Sequence, residues 1–204
     1  MGSGKSKSTI LKDTELNEFK NLTSFSNEIV IKLHNHYKHF SSVQVDDGVI
    51  DYSEFCSLIS RQNELTKRIF NSIDVNKDGV INFREFIKFI SCFIHGTLEE
   101  QMQLSFKIFC ADSNKYIDKE TLLAMLRESI SDDKNLSQFL DEKTLEKVVS
   151  NTFAQFENEE NCIKYENYKI MIQKNLKILS WLKVDLDKIK YVKEENNERF
   201  KCFS

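Results

Sequence analysis

Proline is absent from the 204 residues of this sequence, and glycine occurs only five times. Average usage would predict about ten prolines in a chain of this length. Without proline, no helix is interrupted by this residue. So few glycines argue against a glycine-rich phosphate loop, a dinucleotide-binding turn or a large β-barrel. The composition therefore favours a helical protein.

Other absences narrow the class of protein further. No apolar run approaches the ~20 residues of a membrane span, and residues 1–20 lack the apolar segment of a signal peptide. The charge of −3, from 29 basic and 32 acidic residues, gives no basic excess for nucleic acid. The five cysteines form no C-x-x-C pair, which is typical of reduced thiols. We expect a cytoplasmic globular protein that does not bind nucleic acid, and no residue pattern suggests an enzyme.

What the sequence does contain is a calcium loop between two amphipathic helices. Residues 74–85 match the pattern D-x-[DN]-x-[DN]-G-x5-E at every specified position. Calcium takes six to eight oxygen ligands, and this pattern supplies them from side chains, one backbone carbonyl and one water-mediated contact. The predicted ligands of Ca²⁺ are Asp74, Asn76, Asp78, Val80 through its carbonyl, Asn82 through water and Glu85. A helix, a calcium loop and a second helix make an EF-hand.

The loop recurs in weaker form along the chain. Aligning the isoleucine at its eighth position gives four copies, at Ile50, Ile81, Ile117 and Ile163. EF-hands occur in pairs, with these isoleucines forming a short β-bridge. The predicted fold is all-α: two lobes of paired EF-hands, made of four helix-loop-helix units, plus a C-terminal helix. The predicted boundaries are 1–22 for an acylated tail, 23–95 for the N-terminal lobe, 96–174 for the C-terminal lobe and 175–204 for the last helix and tail, with Gly96 as a hinge between lobes.

The other three loops depart from the calcium pattern. In loop one, twelve residues counted back from Glu54 place Val43 at the first ligand position, where it offers no side-chain oxygen. A count of fourteen starts at Ser41 and relies on backbone carbonyls together with Glu54, so calcium binding here stays open. Loops three and four end in Thr121 and Asn167, which cannot close a site with two carboxylate oxygens. We predict that neither binds calcium.

The first hand carries the most specific family signal. The segment Phe40–Phe55 contains a fourteen-residue loop with a Val-Asp-Asp-Gly core and resembles the calcineurin B-like calcium sensors. The resemblance implies that Ser41, Val43, Asp47 and Val49 supply oxygens in loop one and that Glu54 closes it. It also implies that Asn175–Ile189 is a C-terminal helix able to occupy a partner groove. The segment Gly96–Phe109 is similar to calaxin-type and neuronal sensor proteins as well.

The resemblance implies a function. A calcium sensor of this type exposes an apolar groove that takes a helix of a partner protein, here expected to be a Ser/Thr kinase or phosphatase catalytic subunit. Two alternatives stay open. One is a constitutive structural EF-hand subunit with a permanently filled site, and the other is a calaxin-like regulator of an axonemal motor.

The N-terminus predicts a lipid. Residues 1–6 fit the pattern M-G-x-x-x-[ST], so Gly2 is the expected site of N-myristoylation, although a chance match or a linker remnant would read the same. A single myristoyl chain binds membranes only marginally, and Lys5 and Lys7 would add attraction to anionic lipid. We therefore expect reversible, peripheral attachment to the cytoplasmic face of membranes.

Overall fold

The computed structural model describes residues 11–42, 47–59, 62–110, 115–131, 141–156 and 162–174. The helices in these ranges are α1 Asp13–Leu22, α2 Asn27–Phe40, α3 Tyr52–Ile59, α4 Glu64–Ile73, α5 Phe83–His95, α6 Leu98–Phe109, α7 Lys119–Ser131, α8 Glu142–Phe156 and α9 Tyr165–Lys174. The strands are β1 Ile50–Asp51, β2 Val80–Ile81, β3 Tyr116–Asp118 and β4 Cys162–Lys164. The predicted all-α class is confirmed, whereas Gly2 and the predicted C-terminal helix lie outside the described residues.

Side-chain caps fix where the helices begin. Ser26, Asn63, Asn82 and Thr97 each accept a hydrogen bond from a backbone N–H in the first turn of the helix that follows. In α5 and α6 a glutamate three residues after the cap also accepts the N–H of the cap residue. Both ends of this reciprocal bond satisfy N–H groups that a helix leaves unpaired.

The loop isoleucines pair as the sequence predicts. Ile50 lies opposite Ile81 in the antiparallel pair β1–β2, and Ile117 lies opposite Ile163 in β3–β4. All four side chains are buried. Each bridge therefore joins the two EF-hand loops of a lobe at a buried position.

One apolar cluster extends through both lobes, from Phe19 in α1 to Ile172 in α9. Helix α4 connects the lobes, because it packs against α3 and α5 of its own lobe and against α6 and α7 of the other. Gly96 lies at the turn between α5 and α6, where a Cβ atom would approach the Cys92 carbonyl oxygen to 2.1 Å. Glycine is needed there for lack of space, in a turn between packed helices rather than in a free hinge.

Helix α1 lies within residues 1–22, which the sequence predicts to be an acylated tail. Leu16, Phe19 and Leu22 recur at helical spacing, and Phe19 packs edge-on against Phe83 with ring centroids 4.9 Å apart. The helix contacts α2 and α5 and so extends the N-terminal lobe. Among the described helices, none combines the length and apolar character that crossing a bilayer would require.

Candidate calcium-binding loops

Loop two begins at Asp74, directly after α4, and its first carboxylate is buried. Asp74 Oδ1 accepts the N–H of Asp78 at 3.2 Å, and Oδ2 accepts that of Gly79 at 2.9 Å. Gly79 has φ +86°, in the left-handed region where a side chain would be strained. These bonds bend the loop around the first predicted ligand.

The next two predicted ligands hold one another in position. Asn76 Oδ1 accepts the N–H of Asp78 at 3.1 Å, and Asn76 Nδ2 donates to Asp78 Oδ2 at 2.8 Å. Asp78 Oδ1 accepts the N–H of Val80 at 3.1 Å. The side chains at loop positions one, three and five are thus ordered by the loop itself.

Glu85 joins the loop to the helix that follows it. Its Oε1 accepts the N–H of Val75 at 3.0 Å, and its Oε2 accepts the N–H of Asn82 at 3.1 Å. Glu85 lies in the first turn of α5, and its own N–H donates to Asn82 Oδ1 at 3.0 Å. A change in the position of this carboxylate is therefore transmitted to α5.

The residues of loop two fit calcium. They combine oxygen donors at alternate positions, a left-handed glycine at the sharp turn and a glutamate on the exit helix, which is the ligand arrangement of an EF-hand. Across the described ranges, no three His, Cys, Asp or Glu side chains form a metal-holding group by themselves. The carboxylates of Asp74, Asp78 and Glu85 instead accept N–H groups of the loop.

Loop one is only partly described, because Val43 lies outside the described residues. Asp47 Oδ1 accepts the N–H of Val49 at 3.1 Å, and the buried Glu54 accepts the N–H of Asp51 at 3.2 Å. The Ser41 hydroxyl donates to the Lys38 carbonyl at 3.4 Å, at the end of α2. Glu54 thus accepts the N–H group three residues before it, as Glu85 does from Asn82, and the ligand set proposed for loop one remains a prediction.

Tyr37 is a buried residue of α2 that the calcium-loop pattern does not indicate. Its hydroxyl lies 3.0 Å from the Gly48 carbonyl oxygen and 2.8 Å from the Ile81 carbonyl oxygen, so it connects loop one with the bridge strand of loop two. Burial raises the pKa of Tyr37, and the charges of Asp47 and Glu85 raise it further. The sequence feature that could have indicated this role is a tyrosine on the buried face of a helix, because a buried hydroxyl needs a hydrogen-bond partner.

In the described parts of loops three and four, the side chain at the twelfth position forms hydrogen bonds within the protein. In loop three Asp118 accepts hydrogen bonds from the Thr121 N–H at 2.6 Å and hydroxyl at 2.9 Å. Burial raises the pKa of Cys110 to about 12, which keeps this thiol protonated at the first loop position. In loop four Asn167 Nδ2 donates to the Phe156 carbonyl at 2.8 Å and joins the twelfth loop position to the first. Both sets of bonds involve the twelfth loop position, and the calcium-free state of these two loops remains a prediction.

Comparison with known proteins also identifies a pair of EF-hands in this chain. A family model described as an EF-hand domain pair matches residues 44–91. Calcineurin B of Schizosaccharomyces pombe is 30% identical over 172 residues, covering 83% of this chain and 91% of that protein. Calcineurin B of Naegleria gruberi is 31% identical over 142 residues, covering 67% and 78%. Guanylyl cyclase-activating protein 1 of Lithobates pipiens is 25% identical over 177 residues, covering 82% and 84%.

The matched region of the family model contains both the bridge between Ile50 and Ile81 and the whole of loop two. The similarity to the calcineurin B of Schizosaccharomyces pombe extends over most of both chains. The chain therefore belongs to the calcineurin B-like family of EF-hand calcium sensors.

Proposed function

We propose that this chain is a calcium-responsive regulatory subunit of a Ser/Thr phosphatase or kinase catalytic subunit. The observation that carries the proposal is the link from Glu85 to the aromatic residues of the N-terminal lobe. Two residues before Glu85, the Phe83 ring lies 4.9 Å from Phe19, 4.8 Å from His34 and 5.3 Å from Tyr37, measured between ring centroids. An ion that draws on Glu85 displaces the start of α5, and with it this packing between α1, α2 and α5.

Such a displacement reshapes an apolar surface that a partner helix can bind. Two relatives are named as a subunit of calcineurin and a third as an activator of guanylyl cyclase, so regulation of a separate enzyme is the shared theme of their names. The chain itself is proposed to have no catalytic role.

The test is capture of the partner from cell extract with calcium or with a chelator. We expect calcium-dependent recovery of a phosphatase or kinase catalytic subunit, identified by mass spectrometry and by activity of the captured material. Glu85→Gln should lose the calcium dependence. Glu120→Gln is the matched control, since Glu120 is exposed and lies in loop three. Equal recovery with chelator, and with Glu85→Gln, would instead identify a constitutive structural subunit.

We further propose that myristoylation of Gly2 brings the protein reversibly to the cytoplasmic face of membranes. One myristoyl chain gives a partition constant of only about 10⁴ M⁻¹, so Lys5 and Lys7 should contribute. Gly2→Ala should abolish labelling by a myristate analogue and move the protein to the soluble fraction, whereas Gly4→Ala should change neither. Membrane recovery of Gly2→Ala equal to wild type would refute the lipid anchor.

A further inference from the structure

Both ends of α4, the helix that enters loop two, are held by side chains from the C-terminal lobe. At its start, Glu128 Oε2 accepts the Leu65 N–H at 2.7 Å. At its end, Lys107 Nζ donates to the Ser72 carbonyl at 2.9 Å. Each bond satisfies a backbone group that the helix leaves unpaired, and the anion and the cation lie at the ends of the helix dipole that favour them.

The contact is reciprocal. Arg68, on α4, donates through Nη1 to the Phe109 carbonyl at 3.0 Å, at the end of α6. The last turns of α4 and α6 thus lie side by side, and each ends on a cation supplied by the other. Helix α6 leads into loop three, which the sequence predicts to hold no calcium, whereas α4 leads into the predicted calcium site of loop two.

Lys107 lies close to the calcium loop. Ser72 precedes the first predicted ligand, Asp74, by two residues, and the Asp74 N–H donates to the Phe70 carbonyl at 2.9 Å, which continues the helical turn into the loop. The pKa of Lys107 is lowered, first by partial burial of its ammonium group and then by the charge of Lys77 in loop two. The Lys77 charge in loop two and the Lys107 ammonium group therefore repel one another.

We propose that Lys107 is an affinity-determining residue for loop two. Its positive charge opposes the entry of a divalent cation, while its bond to the Ser72 carbonyl stabilises the ion-free arrangement of α4 against α6. Because coupling between two sites is reciprocal, calcium in loop two must weaken the Lys107 contact by the same factor by which Lys107 weakens calcium binding. The inference rests on calcium binding by loop two and does not depend on the identity of the partner.

The test is calcium titration calorimetry on the full chain, together with chemical unfolding of the calcium-free protein. Lys107→Met should bind calcium about three- to tenfold more tightly at low salt, and the gain should shrink at high salt as screening grows. The same variant should be less stable without calcium. Lys107→Arg keeps the charge and the donor, so we expect calcium affinity within about twofold of wild type. Lys147→Met is the control for net charge, since Lys147 is exposed on α8.

Arg68→Met removes the other bond between the two helix ends together with a charge that lies at the end of α6 and not at the end of α4, so it measures the effect of losing a lobe contact away from loop two. We expect it to raise calcium affinity less than Lys107→Met does. Equal gains from both variants, or no gain from Lys107→Met, would overturn the assignment. Glu85→Gln in the same titrations identifies the loop-two signal. Tight binding there without capture of a phosphatase or kinase would refute the proposed function and leave this inference standing.

Discussion

Glu85 has two sets of partners at the scale of the single residue. In the structure its carboxylate accepts backbone N–H groups from Val75 and Asn82, and in the calcium pattern it is the residue that closes the loop with two oxygens. The amide of glutamine keeps one of these oxygens and loses the charge. The effect of replacing Glu85 by glutamine on calcium affinity can be measured separately from its effect on folding.

Glu85→Gln should therefore weaken calcium binding at least tenfold, or about 1.4 kcal/mol. The fold should survive, because the helices keep their buried aromatic faces. Titration calorimetry measures the affinity and far-ultraviolet circular dichroism checks the helices, with Glu120→Gln as the matched control. Unchanged affinity would mean that loop two is not the principal site.

Tyr37→Phe should destabilise the protein by about 1–3 kcal/mol, because it removes a buried hydroxyl that bonds the Ile81 carbonyl oxygen and contacts the Gly48 carbonyl oxygen. Chemical unfolding measures the change. Tyr116→Phe is the control, since within the described part of the chain the Tyr116 hydroxyl has no hydrogen-bond partner. A loss of stability as large in the control as in Tyr37→Phe would show that the bridging hydroxyl is not the cause.

The residue scale also shows why a local pattern is sufficient to propose ligands in loop two but not to find the role of Tyr37. Loop ligands follow one another at fixed spacing, so a local pattern is sufficient to find them. The Tyr37 hydroxyl contacts a carbonyl 44 residues away, and no local pattern contains that contact. In loop one the predicted use of backbone carbonyls gives no side-chain signature at all.

At the scale of elements, the helices that flank the loops follow from apolar periodicity and caps, and the β-bridges follow from the aligned isoleucines. Helix α1 was not predicted from the sequence, because it precedes the first EF-hand and only Leu16, Phe19 and Leu22 indicate it. The packing of α4 against the other lobe could not be predicted from the sequence either, since it depends on contacts such as that between Leu65 and Glu128, which are 63 residues apart.

Phe19→Ala should detach α1 from the N-terminal lobe. The side chain is buried against Phe83, and truncation of a buried phenylalanine costs about 3–5 kcal/mol. Amides of residues 13–22 should exchange hydrogen faster, and the free energy of unfolding should fall. Lys20→Ala, at an exposed position of the same helix, should leave both unchanged. Normal protection of α1 in Phe19→Ala would show that other contacts hold the helix.

For the whole molecule, the four loops divide by the residue at their twelfth position. Glutamate closes loops one and two, whereas threonine and asparagine end loops three and four and bond within their own loops. We predict that this division separates a lobe that responds to calcium from one that does not bind it. The number of bound ions is the direct measure of this asymmetry.

Calorimetry should find one tight calcium site, with a second and weaker one at most. Calcium at about 100 times the dissociation constant should raise the free energy of unfolding by about 2.7 kcal/mol, because the ion binds the folded state. Unfolding in calcium and in chelator measures that shift. Four bound ions would contradict the division of the loops.

The shared apolar cluster has a consequence for how the chain can be divided. Since α4 belongs to the packing of both pairs of hands, a cut near Gly96 would expose its contacts with α6 and α7. We therefore expect the two lobes to unfold together, so heat or denaturant should melt them in one transition. A signal that starts in loop two must then spread by small sliding of packed helices, because α5 and α6 meet at a tight, packed turn and not at a linker about which one half could swing.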